Sequence, residues 1–338
     1  MASPKKLYLS EFAVNLFTSR WLMIPVSQLM SGGSMGAEEQ EVANNSHIYL
    51  ICKRPILSFS KHSFCYEDGN VSGHINYRIE GEVSELEFSI PFPLLDGATE
   101  VGLSKYPHRE FSTFNDSGEE VRYMPASAVA MGLGLHYKRE ELSNLEVLYV
   151  GQAFGDGSRS AFDRLKSHST LQKILAQAQY EDPDSEVFVL TFEYMPYRVL
   201  SHMDPRAQDA IKDHRDIDRF RSIMNNPLTE HQQICLAEAG LIRYFQPKFN
   251  AIYKDNFPNA NHKILESCYD LDFSALVVEI NTDELGFNLY SDAVKPNDHH
   301  MSKVDILDPV QRWGFFHHSR GDGTTFQMPN VIARRSKG

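Results

Sequence analysis

The spacing of apolar residues in the first third of the chain is typical of β-structure. Apolar and polar side chains alternate over 75–79 and again over 86–90, and Gly81 lies between the two runs. A period of two places alternate side chains on one face, so these runs predict two strands joined by a turn at Gly81. The apolar run 47–52 predicts another strand, whereas the glycine-containing polar stretch 31–45 predicts a loop.

The middle of the chain changes to a mixture of helices and strands. Apolar residues at helical spacing share one face over 160–179 and over 229–245, which predicts two helices. The second helix has start and stop signals, since Thr229 and Gln232 can form a capping box and Pro247 follows the last apolar turn. Shorter apolar runs predict strands over 145–150, 187–194, 276–280 and 287–290.

These elements predict an α+β protein with three regions. Residues 1–130 form a β-rich N-terminal region, 131–256 form a small domain of strands and helices, and 257–338 form a β-containing C-terminal region. The charged segment near 198–226 is typical of an insertion into the middle domain. A chain of 338 residues exceeds what one core usually holds, so we expect the two flanking regions to pack together as a second domain.

Composition limits the partners and the compartment that can be expected. Asp and Glu number 45 against 33 Lys and Arg, so the formal net charge is -12 and any nucleic-acid contact requires a local basic patch. The apolar runs are too short for a transmembrane helix or a signal peptide. The four cysteines are scattered and form no CxxC pair. We therefore expect a cytoplasmic protein with reduced thiols and no membrane contact.

Three polar residues of the middle region suit phosphodiester cleavage. Tyr149 ends a predicted strand, Arg164 lies on the helix that follows, and Glu238 lies beside the apolar face of the helix 229–245. Cleavage needs a group that aligns water, a cation on the scissile phosphate and a carboxylate for a divalent metal. Arg164 can hold phosphate oxygens in a bidentate pair, and Glu238 offers the oxygen ligand that Mg²⁺ prefers.

The position of Glu238 allows a structural alternative. A carboxylate near the apolar side of a helix is costly unless it is paired or bound to a metal. An ion pair between Glu238 and Arg164 would satisfy that requirement without any chemistry. Both interpretations remain open at this point.

Three segments of the middle region resemble the GIY-YIG nuclease superfamily. The stretch 146–153, which contains a Tyr-Val-Gly tripeptide, is similar to the family's second hairpin strand. The stretch 163–168 is similar to its helix with a functional arginine. The stretch 238–250 is similar to its last signature, in which a glutamate binds the single metal and an asparagine closes the motif. The resemblance implies a small antiparallel sheet of three strands with flanking helices, embedded between the β-rich flanks.

The resemblance also implies a role for each matching residue. Tyr149 would position or deprotonate water, Arg164 would stabilise charge on the phosphate, Glu238 would hold Mg²⁺ or Mn²⁺, and Asn250 would brace the site. His168 matches a histidine found one turn after the arginine in some branches of the family. The substrate class would be nucleic acid, with DNA favoured.

The family's first tripeptide, Gly-Ile-Tyr, has two alignments here. Leu135-His136-Tyr137 is the nearest equivalent and would place Tyr137 on the first hairpin strand. Gly134-Leu135-His136 is the other alignment, and it lacks the tyrosine.

Two other functions compete with that of a metal-dependent endonuclease. A non-catalytic binding or scaffold protein would keep the domain without its chemistry, in agreement with the acidic balance. A mimic of nucleic acid would use the same acidic surface to bind a basic protein. In every case the β-rich flanks are the expected surfaces for substrate selection, a protein partner or self-association.

Overall fold

Helices and β-sheets combine in an α+β fold. The structure is a computed structural model that describes residues 6–31, 35–152, 165, 169–207, 210–211, 215–259, 261–308, 311–322 and 324–334. The strands of this part of the chain are β1 Ser10–Leu16, β2 Thr18–Pro25, β3 Ile48–Pro55, β4 Ser58–Phe59, β5 Cys65–Glu67, β6 Asn70–Ile79, β7 Glu82–Pro91, β8 Ala98–Leu103, β9 Glu110–Asn115, β10 Glu120–Pro125, β11 Asn144–Gln152, β12 Ser185–Tyr194, β13 Arg198–Met203, β14 Ala275–Asn281, β15 Asn288–Ser291, β16 Val294–Asn297, β17 His299–Asp305, β18 His317–Ser319, β19 Thr325–Gln327 and β20 Val331–Ala333. The α-helices are Val26–Ser31, Ala37–Asn45, Ala126–Gly132, Glu140–Ser143, Ser169–Glu181, Arg215–Asn225, Glu230–Phe245 and Glu266–Asp270, and 3-10 helices span Leu135–Lys138, Lys263–Leu265 and Asp283–Leu285.

The described residues divide into two compact units. The first unit takes its residues from Met1–Cys52, Glu146–Ile174 and Phe188–Gly338, and the second from Lys53–Leu145 and Leu175–Val187. These bounds differ from the predicted regions 1–130, 131–256 and 257–338. The reason is that strands distant in sequence pair with one another, as β1 does with both β13 and β14.

Two larger sheets lie mainly in the first unit. One has the strand order β13-β1-β14-β17-β20, in which β1 is antiparallel to β13 and parallel to β14. The other has the order β16-β15-β11-β3-β12-β2, so it has six strands where the resemblance implied three. The predicted strands over 47–52, 145–150 and 187–194 are confirmed as parts of β3, β11 and β12. In this sheet β3 lies between β11 and β12.

The helix Glu230–Phe245 is confirmed together with its signals. Thr229 and Gln232 form the expected capping box, and the helix ends at Gln246, which adopts a left-handed φ of 48° before Pro247. This helix packs on β14 at close range. A Cβ atom at Gly240 would lie 2.7 Å from the Cγ2 atom of Val278, so glycine allows the helix to approach the strand.

The second unit is formed by antiparallel strands around an aromatic core. The predicted hairpin is confirmed, since β6 and β7 pair along their whole length and Glu80 and Gly81 form the turn with positive φ angles. Phe111 lies at the centre of the core, with its ring 4.9 Å from that of Phe92 and 5.4 Å from that of Phe59. Strands β8, β9 and β10 form a separate antiparallel sheet.

Two predictions of local structure are wrong. The stretch 31–45 was expected to be a loop, but Ala37–Asn45 is a helix, because Glu38 and Glu39 occupy its first turn and Val42 is buried. Leu135–Tyr137 was expected to be a strand, but Leu135–Lys138 forms a 3-10 helix that follows Gly134 in a left-handed conformation. The apolar residues of such a short segment do not distinguish a strand from a helical turn.

Other predictions concern segments that the structure describes in part. The helix predicted over 160–179 is observed as Ser169–Glu181, and the residues before it, apart from Leu165, lie outside the described part of the chain. Within the segment 198–226, β13 pairs with β1 and Arg215–Asn225 is helical. All four cysteines are unpaired, and among the described residues no helix is long and apolar enough to cross a membrane.

Candidate functional site

Strands β3 and β11 bring two tyrosines together in the first unit. Tyr49 lies on β3 and Tyr149 on β11, and their ring centroids are 6.0 Å apart. Their phenol groups are hydrogen-bonded to each other. Burial raises the pKa of Tyr149, the charge of Glu238 raises it further, and the hydrogen bond with Tyr49 lowers it. The Tyr149 phenol therefore stays protonated at neutral pH.

Gly151 makes room for the tyrosine pair. A Cβ atom at this position would lie 2.6 Å from the Cζ and Oη atoms of Tyr49 and 2.7 Å from the Cε1 atom of Tyr149. Both distances are far below van der Waals contact, so a side chain here would displace the Tyr49 phenol. The glycine of the Tyr-Val-Gly tripeptide thus has a direct steric reason.

Glu238 comes from the helix Glu230–Phe245 and reaches the end of β11. Its carboxylate accepts a hydrogen bond from the backbone N–H of Gln152, the last residue of that strand. Burial raises the pKa of Glu238 to about 7. Among the described residues, no Lys, Arg or His forms an ion pair with this carboxylate. The site therefore contains a half-buried acid, and few groups in the described part of the chain stabilise its negative charge.

Cys235 lies one helical turn before Glu238 and faces the same strand end. Its thiol donates to the Oε1 atom of Gln152 at 3.6 Å and lies 3.6 Å from the Nε2 atom of His231. Burial raises the pKa of this thiol, and the charge of Glu238 raises it further. Cys235 is therefore a neutral polar group at the edge of the site.

Tyr253 is a third tyrosine near Glu238. Burial raises its pKa, followed by the charges of Glu238 and Cys235. Its φ is 67°, a left-handed conformation that costs a non-glycine residue of order 1–3 kcal/mol. Its ring packs 5.8 Å from that of Phe257 and 5.4 Å from that of His262, which holds it in place. Strained residues of this kind cluster at functional sites.

Asn250 fixes the strand next to Tyr149. Its Oδ1 atom accepts from the Val150 N–H at 2.9 Å, and its Nδ2 atom donates to the Val150 carbonyl at 2.8 Å. The neighbouring Phe249 N–H donates to the Leu148 carbonyl at 3.1 Å. These three bonds attach the segment after Pro247 to β11 and hold the tyrosine strand in register with the helix that carries Glu238.

Not all predicted site residues are found together. Tyr149, Glu238 and Asn250 meet in the first unit, whereas Tyr137 belongs to the second unit. Tyr137 lies on the 3-10 helix Leu135–Lys138 and is 69% exposed. It is therefore not on the strand beside Tyr149. Arg164 and His168 lie outside the described residues.

Tyr49 and Tyr253 are residues of the site that the sequence prediction did not include. Tyr49 had a signal, because it follows Ile48 in the predicted strand 47–52 and so repeats the last two residues of the Gly-Ile-Tyr tripeptide. Tyr149 follows it 100 positions later, and most of the residues between them belong to the second unit. Tyr253 had no such signal, since a left-handed tyrosine in a loop has no sequence pattern.

The donor atoms at the site fit a hard divalent cation. Mg²⁺ commonly binds one or two carboxylates and keeps several of its water molecules. Glu238 supplies one carboxylate, and its charge acts on the phenols of Tyr149 and Tyr253, which offer further oxygen atoms. Among the described residues there is no group of three or more His, Cys, Asp and Glu side chains that would form a full protein cage. The site therefore suits a divalent cation that takes one carboxylate ligand from the protein.

The chain was compared with models of protein families, with curated proteins and with solved structures, and no match was found in any of the three.

Proposed function

We propose that the protein is a metal-dependent endonuclease of the GIY-YIG type that cleaves phosphodiester bonds of nucleic acid, with DNA as the favoured substrate. The observation that carries this proposal is that Glu238 reaches the end of β11, the strand that carries Tyr149, although the two residues are 89 positions apart in the chain. The charge of Glu238 acts on the Tyr149 phenol, as a shared site requires.

Tyr49 takes the place that the resemblance gave to Tyr137. It lies on β3, the strand next to β11, and its phenol is hydrogen-bonded to that of Tyr149. With this assignment, His47-Ile48-Tyr49 corresponds to the first tripeptide, with histidine in place of glycine. The residues Lys53–Leu145 of the second unit then form an insertion between the two motif strands.

Each residue has a physical role in this proposal. Tyr149 holds the attacking water by a hydrogen bond, because its raised pKa keeps the phenol protonated. Tyr49 orients that phenol through the bond between the two hydroxyl groups. Asn250 holds β11 at Val150, so that Tyr149 and Glu238 keep their relative positions.

Glu238 is the residue that would hold Mg²⁺ or Mn²⁺, by its carboxylate oxygens. When bound, the metal supplies positive charge that stabilises the phosphate and the leaving oxygen. As the resemblance implies, Arg164 would add a second positive charge at the phosphate. His168 would be a further catalytic residue, matching the histidine that follows the arginine in some branches of the family.

A cleavage assay tests the proposal. Supercoiled DNA, linear duplex DNA and a structured RNA are incubated with the purified chain and Mg²⁺, and products are resolved on gels. We expect cleavage by the parent chain and a loss of about a thousandfold or more in Glu238→Gln, since removal of a single charge-stabilising group typically has an effect of this size. Glu230→Gln is the matched control, because Glu230 is an exposed acid on the same helix.

Equal cleavage by Glu238→Gln and the parent chain would sink the proposal. Loss of cleavage in Glu230→Gln as well would assign the effect to the helix or to the ion pair between Glu230 and His47, and not to Glu238. The second candidate, a non-catalytic binding protein, is favoured by the net charge of -12, which repels nucleic acid. It predicts no cleavage of any of the three substrates and no divalent-metal binding that depends on Glu238.

A further inference from the structure

A separate cavity of about 480 Å³ opens within the second unit. Its volume lies in the range of small-molecule binding sites. Backbone hydrogen bonds join its walls: the Phe59 N–H donates to the His108 carbonyl and the Ile56 N–H donates to the Asp184 carbonyl, both at 2.8 Å. The cavity is therefore part of the folded framework of this unit.

Positive charge is concentrated in this cavity. The second unit contains eighteen Asp and Glu residues against nine Lys and Arg residues. Three of the nine basic residues line the cavity, namely Lys61, Arg78 and Arg109, but only Asp184 among the eighteen acids does. A cationic pocket in an acidic unit favours an anionic ligand, because the local charge opposes that of the surrounding surface.

The basic side chains of the cavity remain available for a ligand. Arg78 is 3.9 Å from Asp184, with more than half of its side chain exposed, so this ion pair is weak. Within the described residues, neither Lys61 nor Arg109 forms an ion pair, and Arg109 acts on the carboxylate of Glu186 only through its charge. Arginine and lysine in such positions bind phosphate oxygens through charge-assisted hydrogen bonds.

An aromatic surface lies beside the cations. Tyr106 lines the cavity and is 84% exposed, so its ring is open to stacking. His108 follows it with a left-handed φ of 61°, and its Nδ1 atom donates to the Ser104 carbonyl at 2.6 Å, which fixes the imidazole. Planar bases stack on tyrosine rings in nucleic-acid-binding proteins, so the Tyr106 ring favours a ligand with a flat heteroaromatic group.

A third feature of the wall is an acceptor without a donor. The Oδ1 atom of Asn76 is buried in the lining and has no hydrogen-bond partner within the described structure. Buried acceptors without partners are uncommon, and a bound group with an N–H would satisfy this one if the Asn76 side chain turned its oxygen into the cavity, since the atom is closed to solvent in the free protein. Inorganic phosphate has no such N–H, whereas the exocyclic amino group of a base does.

We propose that this cavity binds a nucleotide unit. Lys61, Arg78 and Arg109 hold its phosphate, Tyr106 stacks on its base, and Asn76 accepts from an amino group of that base. The unit is either a free mononucleotide or one residue of a single strand, since both present the same phosphate and base. The site is distinct from that of Tyr149 and Glu238 and does not depend on the proposed cleavage activity.

Calorimetric titration of the full chain, in buffer without divalent metal, tests the proposal. The probes are AMP, inorganic phosphate and a 5′-phosphorylated DNA tetranucleotide that contains adenine. We expect AMP to bind at least about tenfold more tightly than phosphate, because stacking and the amino group add to the charge interaction. A tetranucleotide tighter than AMP assigns the cavity to a strand, and one that is no tighter assigns it to a free nucleotide. Phosphate that binds as tightly as AMP, or no binding of any probe, would overturn the proposal.

Matched variants locate the binding. Lys61→Ala combined with Arg109→Ala should weaken AMP binding about tenfold or more, and Tyr106→Ala about fivefold. Tyr106→Phe keeps the ring and should bind like the parent. Lys105→Ala and Tyr123→Ala change exposed residues of the same unit outside the lining and should stay within about twofold of the parent.

The replaced side chains are exposed, so the variants should melt like the parent, which circular dichroism checks. Unchanged AMP affinity in the pocket variants, or equal losses in the two controls, would contradict the assignment. Glu238→Gln should keep the parental affinity for AMP. That result would separate this site from the proposed nuclease site whether or not the chain cleaves nucleic acid.

Discussion

Two carboxylates of the first unit, the buried Glu11 and the half-buried Glu238, have opposite surroundings. The Glu11 carboxylate accepts hydrogen bonds from the Nε and Nη2 atoms of Arg312 at 2.9 and 2.6 Å and from the Nη2 atom of Arg219 at 3.3 Å. The Glu238 carboxylate accepts one hydrogen bond, from the backbone N–H of Gln152, and no basic side chain of the described chain pairs with it. Burial raises the pKa of both groups, but only at Glu11 do two guanidinium groups counter that effect.

The difference separates a structural acid from a candidate functional one. The Glu11 cluster satisfies its own charge, since Arg219 and Arg312 also pair with Asp272, and such a cluster has no need of a ligand. Glu238 keeps a costly charge beside two hydrogen-bonded tyrosines, an arrangement that a bound cation would relieve. How each acid is compensated thus indicates a function better than its burial does.

The largest expected effect is the loss of stability when the Glu11 cluster is broken. Arg312→Ala should lower the free energy of unfolding by about 3 to 5 kcal/mol, because Glu11 is left buried without its main partner. Urea unfolding at pH 7 measures the loss. Arg221→Ala, which breaks the exposed pair with Asp218, is the control and should change stability by less than about 0.5 kcal/mol. A small loss in Arg312→Ala would show that the cluster is not structural.

The substitution Glu238→Gln should raise the free energy of unfolding, whereas Arg312→Ala lowers it. The pKa of Glu238 is about 7 in the folded protein against 4.5 ordinarily, so the parent chain loses stability as pH rises from about 4.5 to about 7, where Glu238 is ionised in the unfolded chain but still protonated in the folded one. The neutral variant avoids this loss and should be about 2 to 3 kcal/mol more stable than the parent at pH 8 and nearly equal at pH 4. Urea unfolding at both pH values checks this; no gain at pH 8 would mean that the carboxylate is already compensated.

The two tyrosines assigned to the first motif can be compared directly. Tyr49→Phe should reduce cleavage about a hundredfold, because it removes a phenol that orients Tyr149. Tyr137→Phe removes an exposed phenol of the second unit and should leave cleavage within about twofold of the parent. Initial rates at fixed Mg²⁺ are the measurement. The reverse order of effects would restore the assignment of Tyr137 and remove that of Tyr49.

Local signals made part of the fold predictable. The helix Glu230–Phe245 was predictable because its capping box, apolar stripe and terminal proline lie within one short stretch. The β6–β7 hairpin was predictable for the same reason, since Gly81 lies directly between two alternating runs. The helix Ala37–Asn45 was not, because its few apolar residues gave no clear period.

Long-range pairing accounts for what was not predictable. Glu238 and Asn250 were expected at the site with Tyr149 from motif order, and the structure does bring them to the same end of β11. Tyr49 was not expected, because the second unit separates β3 from β11 in sequence and no spacing reveals which strands become neighbours. The cavity of the second unit is likewise formed by residues from four separate stretches of the chain.

The central claim is that Glu238 holds a divalent metal beside Tyr149. Calorimetric titration of Mg²⁺, with Mn²⁺ as a second probe, tests it most directly in the parent chain, in Glu238→Gln and in the control Glu230→Gln. We expect one metal site in the parent and the control and none in Glu238→Gln. We also expect the parental affinity for the metal to be about tenfold lower at pH 6 than at pH 8, since a proton competes at a pKa of about 7. Equal metal binding by the parent and Glu238→Gln would contradict a metal site at Glu238.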